Sequence, residues 1–299
     1  MGLFGKKDPC PICGGKPKGL FPTKIEGQAL CKACSIIDLP NGAVDHMTVA
    51  AFRDYMAFRK ENDQLRAQFQ STQEVSLGFL SDRFYFDMSN RLMCRNDSSW
   101  VTIFEAKQIK SFVIREDANI LFEGSANGLI CYTSNVPQRV DAMGGMIMQA
   151  RMQEEMRRAA EREGKDTVRY RHNLPEPFEK FYVEIRFDHP YWSVMTTERG
   201  GPTFNDSYPS SSDYLRDYNN MVMELDKLAR ALMDLAFPGA PEQRVGQYGM
   251  GQTVITMGGT TAAPGGDVVA EIQKIKTLLD QGILTEEEFA AKKRQLLGI

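Results

Sequence analysis

The chain reads as a multidomain α+β protein, and three observations carry that reading. Four cysteines stand in two tight pairs, CPIC and CKAC, within the first 34 residues. Residues 75–140 run in short apolar or alternating segments divided by turn-forming residues, and the same pattern resumes after Pro177. Segments of helical period flank and interrupt those runs, the strongest beginning after Ser210 and the last lying at 268–299. With 299 residues, 42% of them hydrophobic and 25% charged, the composition is that of a chain that packs a core. A net charge of −3 gives no overall basic field, which argues against a protein that coats nucleic acid or anionic lipid with its whole surface. No stretch approaches the roughly 18 consecutive apolar residues of a membrane span. The start, MGLFGKKDPC, lacks the apolar run of a secretory signal, so a cytoplasmic location is expected.

Cys10, Cys13, Cys31 and Cys34 follow C-x2-C-x17-C-x2-C, a spacing expected of a zinc ribbon or knuckle over residues 1–40. Two intervening residues let one tight turn aim both sulfurs at one ion, and the second pair completes a tetrahedron. The glycines after Cys13 relieve crowding where that turn opens. A redox CxxC pair would need a βαβ context, and none follows here. Four thiolates leave no open position, so Zn²⁺ in this site is expected to be structural and to supply folding energy that forty residues cannot. Lys6, Lys7, Lys16, Lys18 and Lys32 surround it and offset part of its negative charge. Cys94 and Cys131 lie in apolar strand-like runs and read as buried hydrophobes.

Residues 48–70 lack Gly and Pro and place Phe52, Tyr55, Met56, Leu65 and Phe69 at mostly helical spacing, which predicts a connecting helix. Strands of an antiparallel sheet are expected at FLSDRFYF, RLMC, WVTIF, SFVI and ILF, then at FYVEIRF and YWSVMTT. Between these two groups an insertion, 142–165, reads as a helix with Met148, Met152 and Met156 at i, i+4 and i+8. Such a thioether stripe suits packing on the protein's own core, on a symmetry mate or on a partner. After Ser210, Leu215, Tyr218, Val222, Leu225, Ala229, Leu232 and Ala236 alternate by three and four, and Met221, Leu228 and Leu235 widen the stripe into a face that covers a sheet. Phe237-Pro238-Gly239 ends that helix, and 238–267, rich in Gly, Pro, Thr and Gln, reads as a flexible linker.

The tail, 268–299, divides into two short helices around Asp280-Gln281-Gly282, with Thr285 and Glu288 as a capping box. Its apolar face comprises Ile272, Ile275, Leu279, Leu284, Phe289 and Leu296 with neighbouring Ile283 and Leu297. A hairpin this short cannot bury enough surface alone, so it docks on its own body, on a copy of itself or on another protein.

Three resemblances accompany these readings. LLDQGILTEEEFAAKKRQLL resembles the SHOCT domain, a short C-terminal domain of bacterial proteins, and implies oligomerisation or recruitment. CPICGG with LCKAC is similar to a bacterial zinc-ribbon domain of unknown function. RFYFDMSNRLMC and AKQIKSFVIRED, with the order of elements over 75–237, resemble a pleckstrin-homology-like (PH-like) barrel closed by a C-terminal helix and split here by the methionine helix. Phosphoinositide binding is not carried over, since Arg83, Arg91 and Arg95 are interspersed with acids.

Enzyme chemistry finds no constellation to rest on. His46, His172 and His189 lie in unrelated contexts, and GQYGMGQT lacks the lysine of a phosphate-binding loop. The expectation is a non-enzymatic zinc-binding adaptor or assembly protein with a protein partner or a second copy, and no small-molecule substrate. The alternatives are a nucleic-acid module built on the lysines of residues 1–40 and a membrane-peripheral PH-like sensor.

Overall fold

The computed structural model describes residues 8–17, 22–78, 82–96, 101–168 and 172–246, together with the backbone of 254–255. The chain divides into two units, Met1–Thr256 and Met257–Ile299, and the described residues all belong to the first. The expectations for 268–299, including Ile272, Ile275, Leu279, Leu284, Phe289 and Leu296, lie outside the described residues.

The chain opens with a two-stranded hairpin, β1 (Lys24–Ile25) and β2 (Gln28–Ala29), turned by Glu26 and Gly27 at φ 47° and 78°. Consecutive positive φ values are what a tight hairpin loop needs. Helix α1 (Val49–Gln68) then begins at Thr48, whose hydroxyl accepts from the Ala51 N–H at 3.1 Å. Its first half supplies Phe52 and Tyr55, both fully buried, to the small core around the cysteines. Its last turn and the residue after it lay Leu65 and Phe69 against Cys94, Val101 and Ile103 instead. One helix therefore belongs to two cores.

β3 (Gln73–Ser76), β4 (Arg83–Asp87), β5 (Leu92–Arg95) and β6 (Phe104–Glu105) form an antiparallel four-stranded sheet in that order. The β4–β5 turn is organised by buried Asp87, whose carboxylate accepts from the backbone N–H of Gln70 and Asn90 and from the Asn90 amide. Burial pushes its pKa up, and these donors outweigh that effect and hold it below its usual value. A second sheet contains β7 (Ile109–Glu116), β8 (Asn119–Ser125) and β9 (Gly128–Tyr132). Two helices follow, α2 (Val136–Ala142) and α3 (Gly144–Arg162). The chain returns to that sheet as β10 (Lys180–Phe187) and β11 (Val194–Gly200) before the long helix α4 (Ser211–Ala236), capped by the Ser210 hydroxyl. β12 (Glu242–Val245) and β13 (Val254–Ile255) complete it, and the seven strands run β11-β10-β7-β8-β9-β12-β13.

Both sheets and α4 share one core. Leu225, Leu228, Ala229, Leu232 and Leu235 of α4 are at most 1% exposed and join Phe84 and Phe86 of the smaller sheet with Phe112, Ile114 and Val183 of the larger. The stripe read from residues 215–236 thus covers sheet, as its width requires.

Four expectations are corrected. The PH-like barrel does not close among the described residues; from Gln73 onward they form two sheets instead. Where they approach, the Arg95 guanidinium of β5 donates to the Thr196 carbonyl of β11 at 3.1 Å, so a side chain stands where a closed barrel would have a backbone ladder. Within WVTIF, Val101, Thr102 and Ile103 are not strand but are buried in irregular chain, with the Thr102 N–H donating to the Asp38 carboxylate and the Ile103 N–H to the Asn62 amide oxygen. Residues 136–142, at the end of the run expected to be strand, form α2 instead, hidden by Pro137, which its first turn tolerates, while α3 fills the expected 142–165 insertion. The linker 238–267 is not wholly a linker, because β12 pairs in parallel with β9 and β13 pairs with β12. Gly128 permits the first pairing. It sits at φ 131°, and a Cβ there would fall 2.4 Å from the Pro241 carbonyl oxygen, whose partner is the Leu129 N–H.

Candidate metal centre

Each cysteine pair occupies one tight turn. At the first, the Gly14 N–H donates to the Cys10 carbonyl and the Cys10 N–H to the Gly15 carbonyl, both at 2.8 Å. At the second, the Ser35 N–H donates to the Cys31 carbonyl at 3.0 Å. Gly14 takes φ 72°, and a Cβ on Gly15 would lie 3.3 Å from the Cys13 sulfur and 3.6 Å from that of Cys31. Both glycines after CPIC are therefore used, one for its backbone and one for the space beside the sulfurs.

The four Sγ atoms lie within 4.8 Å of one another, with Cys13 and Cys31 approaching to 3.4 Å. A tetrahedral ion with metal–sulfur bonds of about 2.3 Å separates its sulfurs by about 3.8 Å, so the set fits one ion. Cys10, Cys31 and Cys34 are buried and Cys13 is at the surface. The titration of the group is divided. Burial acts against the Cys10 thiolate, yet the backbone N–H groups of Cys31, Cys13 and Ile12 bring its pKa down to about 6. Cys31 is also lowered, chiefly by the Cys34 backbone, whereas burial and the neighbouring thiols push Cys34 far up. Thiols this close cannot all ionise without a cation among them. The four cysteines can hold a metal ion, and a four-sulfur set leaves no position for a substrate.

The module is fastened to the body by residues that its own segment does not contain. The Asp38 N–H donates to the Tyr55 hydroxyl at 2.9 Å, and that hydroxyl donates back to the Asp38 carbonyl at 3.2 Å. The same carbonyl accepts from the Trp192 indole at 3.3 Å. Tyr191 packs edge-on to Tyr55 at 5.2 Å, and Phe58 packs on His189 at 5.0 Å. His189 accepts at Nδ1 from the N–H groups of Tyr191 and Trp192, both at 3.1 Å, and burial drops its pKa to about 4. Nothing in the sequence around His189 sets it apart from the other two histidines. Its role depends on contacts with α1 and β6, more than eighty residues earlier in the chain, and no local signal marks them.

The methionines are placed differently from a core stripe. Ile147 and Ala150 of α3 are buried, and so is Glu154, which pairs bidentately with Arg157 at 2.7 and 2.8 Å and accepts from Arg158 at 2.8 Å. Hydrogen bonds from Arg157 first, then Arg158, hold Glu154 down to about 2. Tyr208 closes that side, with the Arg151 guanidinium 4.4 Å over its ring. Met148, Met152 and Met156 lie on the opposite side and are 62%, 57% and 62% exposed. Packing on the protein's own core is thereby excluded for this stripe.

Residues 270–297 match the model of SHOCT, the short C-terminal domain. No curated protein and no solved structure matches the chain. Among the described residues no helix is long and apolar enough to cross a membrane.

Proposed function

We propose that this chain is a non-enzymatic adaptor or assembly protein, in which Zn²⁺ held by Cys10, Cys13, Cys31 and Cys34 locks a zinc-ribbon module onto a sheet body. Contacts with a protein partner or a second copy are made through the SHOCT tail and α3. One observation carries the reading: α3 buries Ile147, Ala150 and Glu154 on one side and offers Met148, Met152 and Met156 to solvent on the other. Exposed thioethers in a row are an adaptable contact surface. The tail supports it, since a domain of the SHOCT kind points to interaction with protein.

Catalysis has no part in the proposal. The sulfur site is closed, and the buried carboxylate Glu116 is occupied by the Ser134 hydroxyl at 2.8 Å and the Tyr218 hydroxyl at 2.7 Å. Light scattering and affinity capture test the reading, using the full chain, a form lacking 268–299, and Met148→Glu with Met152→Glu and Met156→Glu. Loss of assembly or of captured protein in either altered form is expected. Unchanged mass and unchanged capture in both would overturn it.

A further inference from the structure

We infer that α3 pairs with α3 of a second copy, antiparallel, about a two-fold axis passing beside Met152. The inference rests on the adaptor reading and names the occupant of the methionine face.

Charge is the first argument. A two-fold axis sets each residue at the centre of a helix pair against its own copy, so a charge there meets a like charge. The exposed line Gly145, Met148, Gln149, Met152, Gln153, Met156 and Ala159 contains none. Every charged residue of α3 lies on its buried side or on one flank, where Arg151 stacks on Tyr208 and Glu155 accepts from the Tyr208 hydroxyl.

Shape is the second, and it is self-complementary. Rotation about Met152 sets Met148 opposite Met156 of the partner and puts glycines 144 and 145 opposite alanines 159 and 160. Small residues at both ends let the two backbones approach while methionines fill the middle. The C-terminal half of α3 also carries a hollow of about 740 Å³, lined by Gln153, Met156, Arg157, Asp166, Thr167 and Val168. Met146, 45% exposed, lies seven residues before Gln153 and so on the same flank of the helix. In the antiparallel pair Met146 and Met148 of one copy reach the hollow of the other, beside Val168, which is 70% exposed. Each copy then gives a protrusion and receives one. A parallel pair would set methionine protrusions against each other at one end and leave both hollows unfilled.

The decisive experiment is site-directed cross-linking of the full, metal-loaded chain, with the unsubstituted protein as control because Cys94 and Cys131 are buried. Under mild oxidation Met152→Cys is expected to form a covalent dimer by itself. Met148→Cys and Met156→Cys are expected to do so only when mixed with one another. Light scattering should show the mass fall about twofold when Met148, Met152 and Met156 are all changed to Glu, surface changes that leave the buried side of α3 intact. Self-linking of Met148→Cys as strong as that of Met152→Cys would overturn the antiparallel arrangement. A monomeric unsubstituted protein whose methionine face sediments with anionic phospholipid vesicles would assign the face to a membrane and overturn it too. Capture of another protein that depends on these methionines, without any Met152→Cys dimer, would remove self-pairing and leave the adaptor reading standing. A Met152→Cys dimer in a chain that captures nothing with or without its tail would keep the pairing and remove recruitment.

Discussion

The cysteine module and the sheet body stand side by side in one unit, and they are stabilised by different means. The module's buried core is a handful of side chains, three of them thiols, with Phe52 and Tyr55 lent by α1. The body buries Phe84, Phe86, Phe112, Phe181, Leu225, Leu228 and Leu232 with many others between two sheets and a long helix. Hydrophobic burial suffices for the second and not for the first, since a segment of some forty residues hides too little apolar surface. The difference teaches where a bound metal would matter most. The junction between them is aromatic and hydrogen-bonded, which gives the smaller core an ordered surface to rest on.

Metal removal should separate the two most sharply. A strong chelator, or Cys34→Ser, is expected to abolish the fold of the module, because structural zinc contributes about 10–16 kcal/mol in comparable peptides. Hydrogen exchange should then show β1, β2 and the cysteine turns open while β7, β8 and β10 stay protected. Equal loss in both regions would end the distinction. Within the body, Leu228→Ala is expected to cost about 2–5 kcal/mol by leaving a cavity, lowering the denaturation midpoint with the metal content unchanged. Elemental analysis checks the second half of that statement.

At the junction, the Asn62 amide donates to the Ile103 carbonyl at 2.7 Å and accepts from its N–H at 2.9 Å. Asn62→Leu strands both backbone groups and should cost about 1–3 kcal/mol, splitting one melting transition into two as the module uncouples. Acid sharpens the same boundary through His189. Its pKa falls from 6.5 to about 4 on folding, so between these pH values the unfolded chain binds a proton that the folded one does not. Its contribution to stability is full above pH 6.5 and declines as pH drops towards 4, by about 3 kcal/mol, and that part of the decline should vanish in His189→Gln. The smallest effect lies far from the metal. Arg230 holds Glu242 bidentately at 2.7 and 3.1 Å but is 39% exposed, so Arg230→Met should cost no more than about 1 kcal/mol and should be visible mainly as faster exchange at β12.

Much of this was legible in the residues because its causes are local. CPIC and CKAC bring their own turns, and the two glycines after Cys13 stand where crowding demands them. α1 and α4 were readable because their apolar positions recur at 3.6 residues and Thr48 and Ser210 supply caps. β10 lies within a residue of its expected span for a similar reason, alternation being a local property. β12 gave no such signal, since Glu242–Val245 is polar and gains its place only from an unpaired edge of β9.

By itself, then, the order of amino acids determined the four sulfurs that can hold a metal ion, the helices with their caps, most of the strands and an apolar stripe on the inserted helix. Only the tertiary structure decided that the described strands of the body form two sheets and not a barrel, that Asp38, Tyr55, His189 and Trp192 bind the module to the body, and that the methionines face outward. Spacing along a chain specifies which side chains share a face. Which face is buried depends on the competing surfaces available, and on α3 the pair of Glu154 with Arg157, together with Ile147 and Ala150, took the inner side and left the thioethers to solvent.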